Sequence, residues 1–294
     1  MKNTLNIFAV QQPCDLDRAG NLAFSMAKIR EAAASGADLV VLPELHLGPY
    51  FCQSEDRRCF AQAEPIPGPT TATLGELAAE LGVVIVASLF ERRAAGLYHN
   101  TAVVLDSDGR IAGIYRKMHI PDDPGFYEKY YFTPGDLGFQ PVETTLGKLG
   151  VLVCWDQWFP EAARLMALAG AEVLIYPTAI GWDPEDSTDE KARQLDAWIT
   201  IQRAHAVANG LNVVVCNRVG FEPAPDGQTG IEFWGNSFIA GPQGEVLACA
   251  NASETALISA MCDRRHNEKV RQIWPYLRDR RIDAYQGLLR RFID

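Results

Sequence analysis

GKLGVLVCWDQWFPEAAR, residues 147–164, is the stretch whose reading decides the fold. Gly150, Val151, Leu152 and Val153 form an apolar run of strand character that stops at Cys154. A turn and a helix follow. Pro160 suits a first helical position because its missing N–H has no intrahelical partner there, Glu161 complements the positive helix end, and Ala162, Ala163 and Leu165 propagate well. Cys154 is thereby expected between a strand end and a helix N-terminus. A thiol with an ordinary pKa of about 8.5 is mostly un-ionised at neutral pH, and a helix N-terminus favours the thiolate. The pattern offers Cys154 as a nucleophile on an elbow; read locally, it equally suits one more small buried side chain.

Working outward, 294 residues can bury the core of one large α/β domain or of two smaller ones. No repeat, low-complexity tract or linker divides them, so residues 1–294 are read as one domain, with 263–294 as a tail suited to a subunit contact. A net charge of −10 argues against a nucleic-acid or anionic-membrane partner, since both need a basic face, and it tolerates a cationic small substrate. The seven cysteines, at 14, 52, 59, 154, 216, 249 and 262, are odd in number and widely spread, which fits reduced thiols and not a disulfide framework. With no signal-peptide pattern and no apolar run near the ~18 residues of a membrane span, the expected location is cytoplasmic.

Upstream, residues 5–11 alternate like a strand, 15–35 read as a helix closed by Gly36, and 37–44 as a buried strand ending at Glu44. A helix capped by Thr70 or Thr71 is expected to reach Leu81, followed by strands over 83–90, 97–106 and 111–119, with Ser107, Asp108 and Gly109 at a hairpin turn. Alternation places Tyr115, Lys117 and His119 on one face, and 121–138 form a long structured loop. Beyond the elbow come a strand over 171–177, a charged loop over 183–191 and a long helix capped by Ser187 or Thr188 and closed by Gly210. Strands over 211–217, 235–240, 245–250 and 255–261 complete the set. In the tail, Arg278, Arg280 and Arg281 are expected to meet carboxylates at a subunit contact.

Three buried strands thus stop at Glu44, Lys117 and Cys154. In open α/β sheets ligands bind beyond the carboxyl ends of the strands, so neighbouring ends of this kind point into one cavity. Acyl transfer to a thiol needs a base for the thiol proton, a fixed donor for the oxyanion and an acid for the leaving amine. Glu44 suits base and then acid, and Lys117 suits oxyanion donor together with the backbone N–H of Trp155. The alternative is that Glu44 and Lys117 form a structural ion pair.

LPEL at 42–45, YRKMHIP at 115–121 and GVLVCWDQWFPEAAR at 150–164 resemble the carbon–nitrogen hydrolase (nitrilase) superfamily, with its Glu-Lys-Cys triad. The likeness spans about residues 6–285. It implies an α/β fold, a four-layer α-β-β-α sandwich, in a homo-oligomer (dimer or higher), with the triad on Glu44, Lys117 and Cys154 and a further structural or catalytic carboxylate on Glu128. Residues 119–136, 176–184, 201–220 and 233–245 are similar to the branch that hydrolyses carbamoylated amines. The implied substrate is a small amine-ended carbamoyl compound, with no cofactor and no metal; Cys52, Cys59 and His46 lack the paired spacing of a zinc site. His119 suits a polar ureido group. Asp122 and Asp183, ahead of Asp123, are candidates for the distal amine, and Tyr50, Tyr130 and Trp155 for the carbon stem and the cation. Other carbamoyl-amide, carbamoyl-amino-acid, ureidopropionase-like or ω-amide hydrolysis, or a catalytically silent binding role, remain the competing readings.

Overall fold

The computed structural model describes residues 2–15, 17–225, 227 and 229–293. Alternation in the first strand, Thr4–Gln11, explains the layering. Leu5, Ile7 and Ala9 belong to one core cluster together with Leu149, Val151, Leu174 and Val213, whereas Phe8 and Val10 pack with Ile29, Leu74 and Leu77 of two helices. One face of the sheet therefore meets a second sheet and the other meets helices. That is the expected α-β-β-α sandwich.

The first sheet has six strands in the order Ala256–Asp263, Thr4–Gln11, Leu39–Val41, Val84–Ala94, Leu97–Leu105 and Ile111–Arg116. Its outer layer is the helices Arg18–Ala34 and Pro69–Leu81. The second sheet runs Val246–Cys249, Phe238–Ala240, Asn212–Asn217, Val173–Thr178, Gly147–Val151 and Val142–Thr144. Helices Pro160–Leu168 and Thr188–Asn209 cover it, with Met166, Trp198 and Ala206 turned into the core. Three inner strands of each sheet run parallel, which brings their carboxyl ends to one edge.

Local chemistry sets the helix ends. Asp17 accepts from Gly20 N at 2.8 Å, Ser187 accepts from Glu190 N at 3.2 Å, and Gly210 closes the long helix at φ 58°. Neither threonine caps the second helix as expected. It starts at Pro69 with Gly68 as its cap, and the Thr71 hydroxyl instead accepts from Gly68 N at 2.8 Å.

Among the strands shorter than the sequence suggests, two bear on the site. The expected 37–44 strand is Leu39–Val41; Leu42 N still bonds Val86 O at 2.9 Å, but Pro43 has no N–H and the ladder ends. The expected 111–119 strand ends at Arg116. Lys117 N keeps its bond to Asn100 O at 2.9 Å, while Lys117 O accepts from Gly135 N at 2.8 Å, so a loop takes over the pairing. A third sheet of Val219–Glu222, Ile231–Trp234 and Gly181–Trp182 was not foreseen, because short strands with glycine and charge carry little periodic signal.

In the tail, Arg278 pairs with Asp279 at 2.8 Å and Arg281 with Asp283 at 2.6 Å, and Arg280 lies over the Tyr285 ring. Within the chain, two of the cluster's arginines are thus paired locally. Among the described residues no helix is long and apolar enough to cross a membrane.

Gly135 is where the loop presses on the strand end that presents Lys117. A Cβ there would stand 2.0 Å from the carbonyl oxygen of Arg116, a backbone atom that cannot swing aside. Gly135→Ala is therefore expected to destabilise the protein by about 1–3 kcal/mol. Thermal unfolding checks this, and an unchanged midpoint would contradict the close approach.

Candidate active site

Glu44, Lys117 and Glu128 meet in the interior. Lys117 Nζ lies 2.8 Å from Glu44 Oε1 and 2.8 and 2.7 Å from the two oxygens of Glu128, with all three side chains buried. Glu44 reaches this point because the chain leaves its short strand through Leu45 at φ 49°, a backbone conformation that a branched residue holds only when its neighbours enforce it. Arg218 enforces it. Its Nη2 donates to the carbonyl oxygens of Glu44 and Leu45, both at 2.9 Å, and its Nη1 donates to Glu222 Oε1 at 2.7 Å.

The network then closes on itself. Glu222 Oε2 accepts from Tyr50 N at 2.5 Å, and the Tyr50 hydroxyl donates to Glu128 Oε1 at 2.7 Å, beside Lys117. Asn100 Nδ2 donates to Glu44 Oε1 at 2.6 Å. Glu44 Oε1 thus carries two donors. Its other oxygen, Oε2, is buried with no hydrogen-bond partner among the described residues.

Cys154 joins them from the second sheet. It has φ 43°, is buried, and its Sγ lies 4.0 Å from the carbonyl oxygen of Ala179. The helix expected to ionise it is displaced: a short 3₁₀ turn, Cys154–Trp158, intervenes, and the α-helix begins at Pro160. Burial and the Glu44 carboxylate push the thiol well above its usual range, against the pull of Lys117. Both influences favour the protonated thiol in this site. Trp155 N–H lies in the first turn of the 3₁₀ segment, where backbone N–H groups have no intrahelical acceptor.

Electrostatics tie the cluster together. Burial pulls the Lys117 ammonium down, but Glu128 and Glu44 outweigh it and hold it well above the usual lysine value. Burial lifts Glu128 to about 7 despite Lys117, with the Glu44 charge adding to the lift.

Asp156 stitches the Cys154 turn to the segment that carries Lys117. Its Oδ2 accepts from Val153 N at 3.0 Å and from the Tyr115 hydroxyl at 2.8 Å, and its Oδ1 accepts from His119 N at 3.0 Å and lies 2.7 Å from His119 Nδ1. His119 also stacks on Phe159, with ring centroids 3.7 Å apart. Sequence reasoning missed Asn100, Asp156, Arg218 and Glu222. The available signal was a polar residue inside or just past an apolar run, as in LYHNTAVVL and NVVVCNR.

The other candidates fall in different places. Tyr50 is buried with its hydroxyl committed to Glu128, so it supports the cluster instead of presenting an open ring. Tyr130 is exposed and packs on Tyr131 and Phe60. Asp122 is exposed and 4.0 Å from Lys129. Asp183 is exposed beside a cavity of about 230 Å³ that Phe126 and Trp182 also line, and Trp155 is half-buried.

The chain is similar to several known proteins. Residues 7–272 match the carbon–nitrogen hydrolase family. The N-carbamoylputrescine amidase of Solanum lycopersicum is 46% identical, over 98% of this chain and 96% of its own. The citrullinase of Francisella tularensis is 40% identical, over 98% and 99% of the two chains. A carbon–nitrogen hydrolase from Helicobacter pylori G27, known from its crystal structure, superposes with a TM-score of 0.96 at 52% identity, covering 99% of this chain and all of its own.

The Glu128 carboxyl gives a pH signature. Its native pKa, about 7, lies above the ordinary 4.5, so the native state holds its proton more tightly than the unfolded chain. Its stabilising contribution is complete below pH 4.5 and is lost as the pH rises through about 7. Glu128→Gln removes this titration. The stability of the unsubstituted protein relative to the Gln variant is expected to fall between those limits by an amount on the order of a few kcal/mol. Urea unfolding of both proteins across that range checks it, and a constant difference would contradict it.

Proposed function

The chain belongs to the carbon–nitrogen hydrolase family, and on that premise we propose that it hydrolyses N-carbamoylputrescine to putrescine, carbon dioxide and ammonia, a step in making polyamines from agmatine. The observation that carries the mechanism is the unpartnered, buried Oε2 of Glu44 in a cluster that also holds a protonated thiol and an ammonium.

In this reading Glu44 Oε2 takes the Cys154 proton as the sulfur attacks the ureido carbonyl carbon. The oxyanion is met by Lys117 and by the Trp155 backbone N–H. Lys117 has three N–H donors, and a carboxylate as close as Glu128 can share one of them between its two oxygens, which leaves one for the substrate. Glu44 then returns the proton to the leaving nitrogen, putrescine departs, and a carbamoyl-thioester remains on Cys154. Glu44 next takes a proton from water, hydroxide attacks, the carbon–sulfur bond breaks, and Glu44 gives its proton to the departing sulfur, which restores the Cys154 thiol. The carbamic acid released falls to carbon dioxide and ammonia. Glu128 keeps Lys117 charged and aimed. General acid–base catalysis of this kind contributes roughly 10²–10⁴-fold, and one oxyanion donor about 10²–10³-fold.

Citrulline carries the same ureido group on an amino acid, and the similarity to a citrullinase makes it the second reading. The exposed carboxylate of Asp183, at the cavity of about 230 Å³, disfavours its acid end.

Ammonia release from N-carbamoylputrescine, citrulline and N-carbamoyl-β-alanine tests the assignment, with the amine-ended compound expected to lead. Preference for an acid-ended compound would overturn the substrate while leaving the chemistry standing. Cys154→Ala is expected to abolish turnover, and Glu44→Gln to lower kcat by about 10²–10⁴-fold. Full turnover by the alanine variant would sink the mechanism.

A further inference from the structure

We propose that the cavity bounded by Gln53, Phe126, Trp182, Asp183 and Ile231 is the subsite that receives the distal ammonium of the substrate, with the Gln53 carbonyl oxygen and the Asp183 carboxylate as its acceptors. This rests on the amine-ended reading above and gives it a location. The cavity holds about 230 Å³, room for a short alkyl chain.

Gln53 is the observation that singles it out. The side chain is 3% exposed, lines the cavity, and its Oε1 is buried with no hydrogen-bond partner among the described residues. A buried amide oxygen without a donor is costly, and a ligand N–H would relieve that cost. Asp183 supplies the charge. Its Oδ1 accepts from Glu185 N at 2.9 Å, which fixes the carboxylate and leaves Oδ2 for a second donor. Among the described residues lining the cavity there is one carboxylate and no lysine or arginine. Lys191, which lies over the Trp182 ring at 5.7 Å, is already paired with Glu232 at 2.7 Å. The electrostatic preference is therefore for a cation and against a carboxylate.

Position agrees with the chemistry. Phe126, which lines the cavity, packs on Tyr50 with ring centroids 5.5 Å apart, and the Tyr50 hydroxyl bonds Glu128, so the cavity lies next to the residues that hold the buried cluster. On the other side, Ala179 meets the nucleophilic sulfur, and the chain runs from there directly to Trp182 and Asp183. Four extended residues span at most about 14 Å, and the putrescine arm measures roughly 7 Å from carbonyl carbon to amine nitrogen, so the two lengths are compatible. The Trp182 and Phe126 rings suit the methylene stem and the cation.

The test compares N-carbamoylputrescine with N-butylurea, which keeps the ureido group and the stem but lacks the amine. In Gln53→Leu and in Asp183→Asn the ratio of kcat/KM for the first over the second is expected to fall about 10- to 100-fold. Asp183 is exposed, so its variant tests the subsite even if the Gln53 variant does not fold. Calorimetric titration with putrescine reads the cavity independently of turnover, with affinity expected to weaken to the same degree in both variants. An unsubstituted protein that binds putrescine but leaves N-carbamoylputrescine intact would refute the proposed reaction and not the subsite. An unchanged ratio together with unchanged putrescine affinity in Asp183→Asn would overturn the subsite.

Discussion

One ammonium in the interior, Lys117, is held between two carboxylates, and the rest of the site is arranged to make that arrangement bearable. A charged group taken out of water is tolerated only when counter-charges and hydrogen bonds replace its hydration. Glu44 and Glu128 supply the counter-charge, and Asn100 and Tyr50 supply further donors to those carboxylates. Two carboxylates on one ammonium leave an excess negative charge. Burial resolves part of it by raising Glu128, and keeps a proton on the sulfur of Cys154.

That balance explains why the thiol need not rest as a thiolate. A permanently ionised sulfur would add a third negative charge to the same cavity. A protonated sulfur in a cluster that also holds an unpartnered carboxylate oxygen avoids that third charge. The sequence-based elbow offered Cys154 on an incomplete physical cause. The helix dipole it invoked starts six residues later, at Pro160, and the desolvation that opposes it cannot be seen in a strand–turn–helix pattern.

What was legible in the chain and what was not divides along physical lines. Apolar alternation in Thr4–Gln11 and the β-branched runs of the central strands encode the layers directly, because burial on two faces dictates residue type. Glu44, Lys117 and Cys154 were legible as reactive groups at the ends of such runs. Asn100, Asp156, Arg218 and Glu222 were not, since each acts through a partner distant in sequence and a lone polar residue does not say which partner it has. Tyr50 marks the same limit. An aromatic residue in a loop looks like a cover for substrate, and only the fold reveals that its hydroxyl is spent on Glu128.

The route from Arg218 through Glu222 and Tyr50 to Glu128 also bears on biosynthesis. On the ribosome, Cys154 emerges well before Arg218, and until that guanidinium and its strand have docked nothing clamps Leu45 in its left-handed turn or aims Glu44. A nascent chain therefore exposes a commonplace thiol with no base beside it. The cluster of Glu44, Lys117 and Glu128 therefore takes its final geometry only when the C-terminal third closes the sandwich, so the last segment translated completes a site whose thiol was made long before.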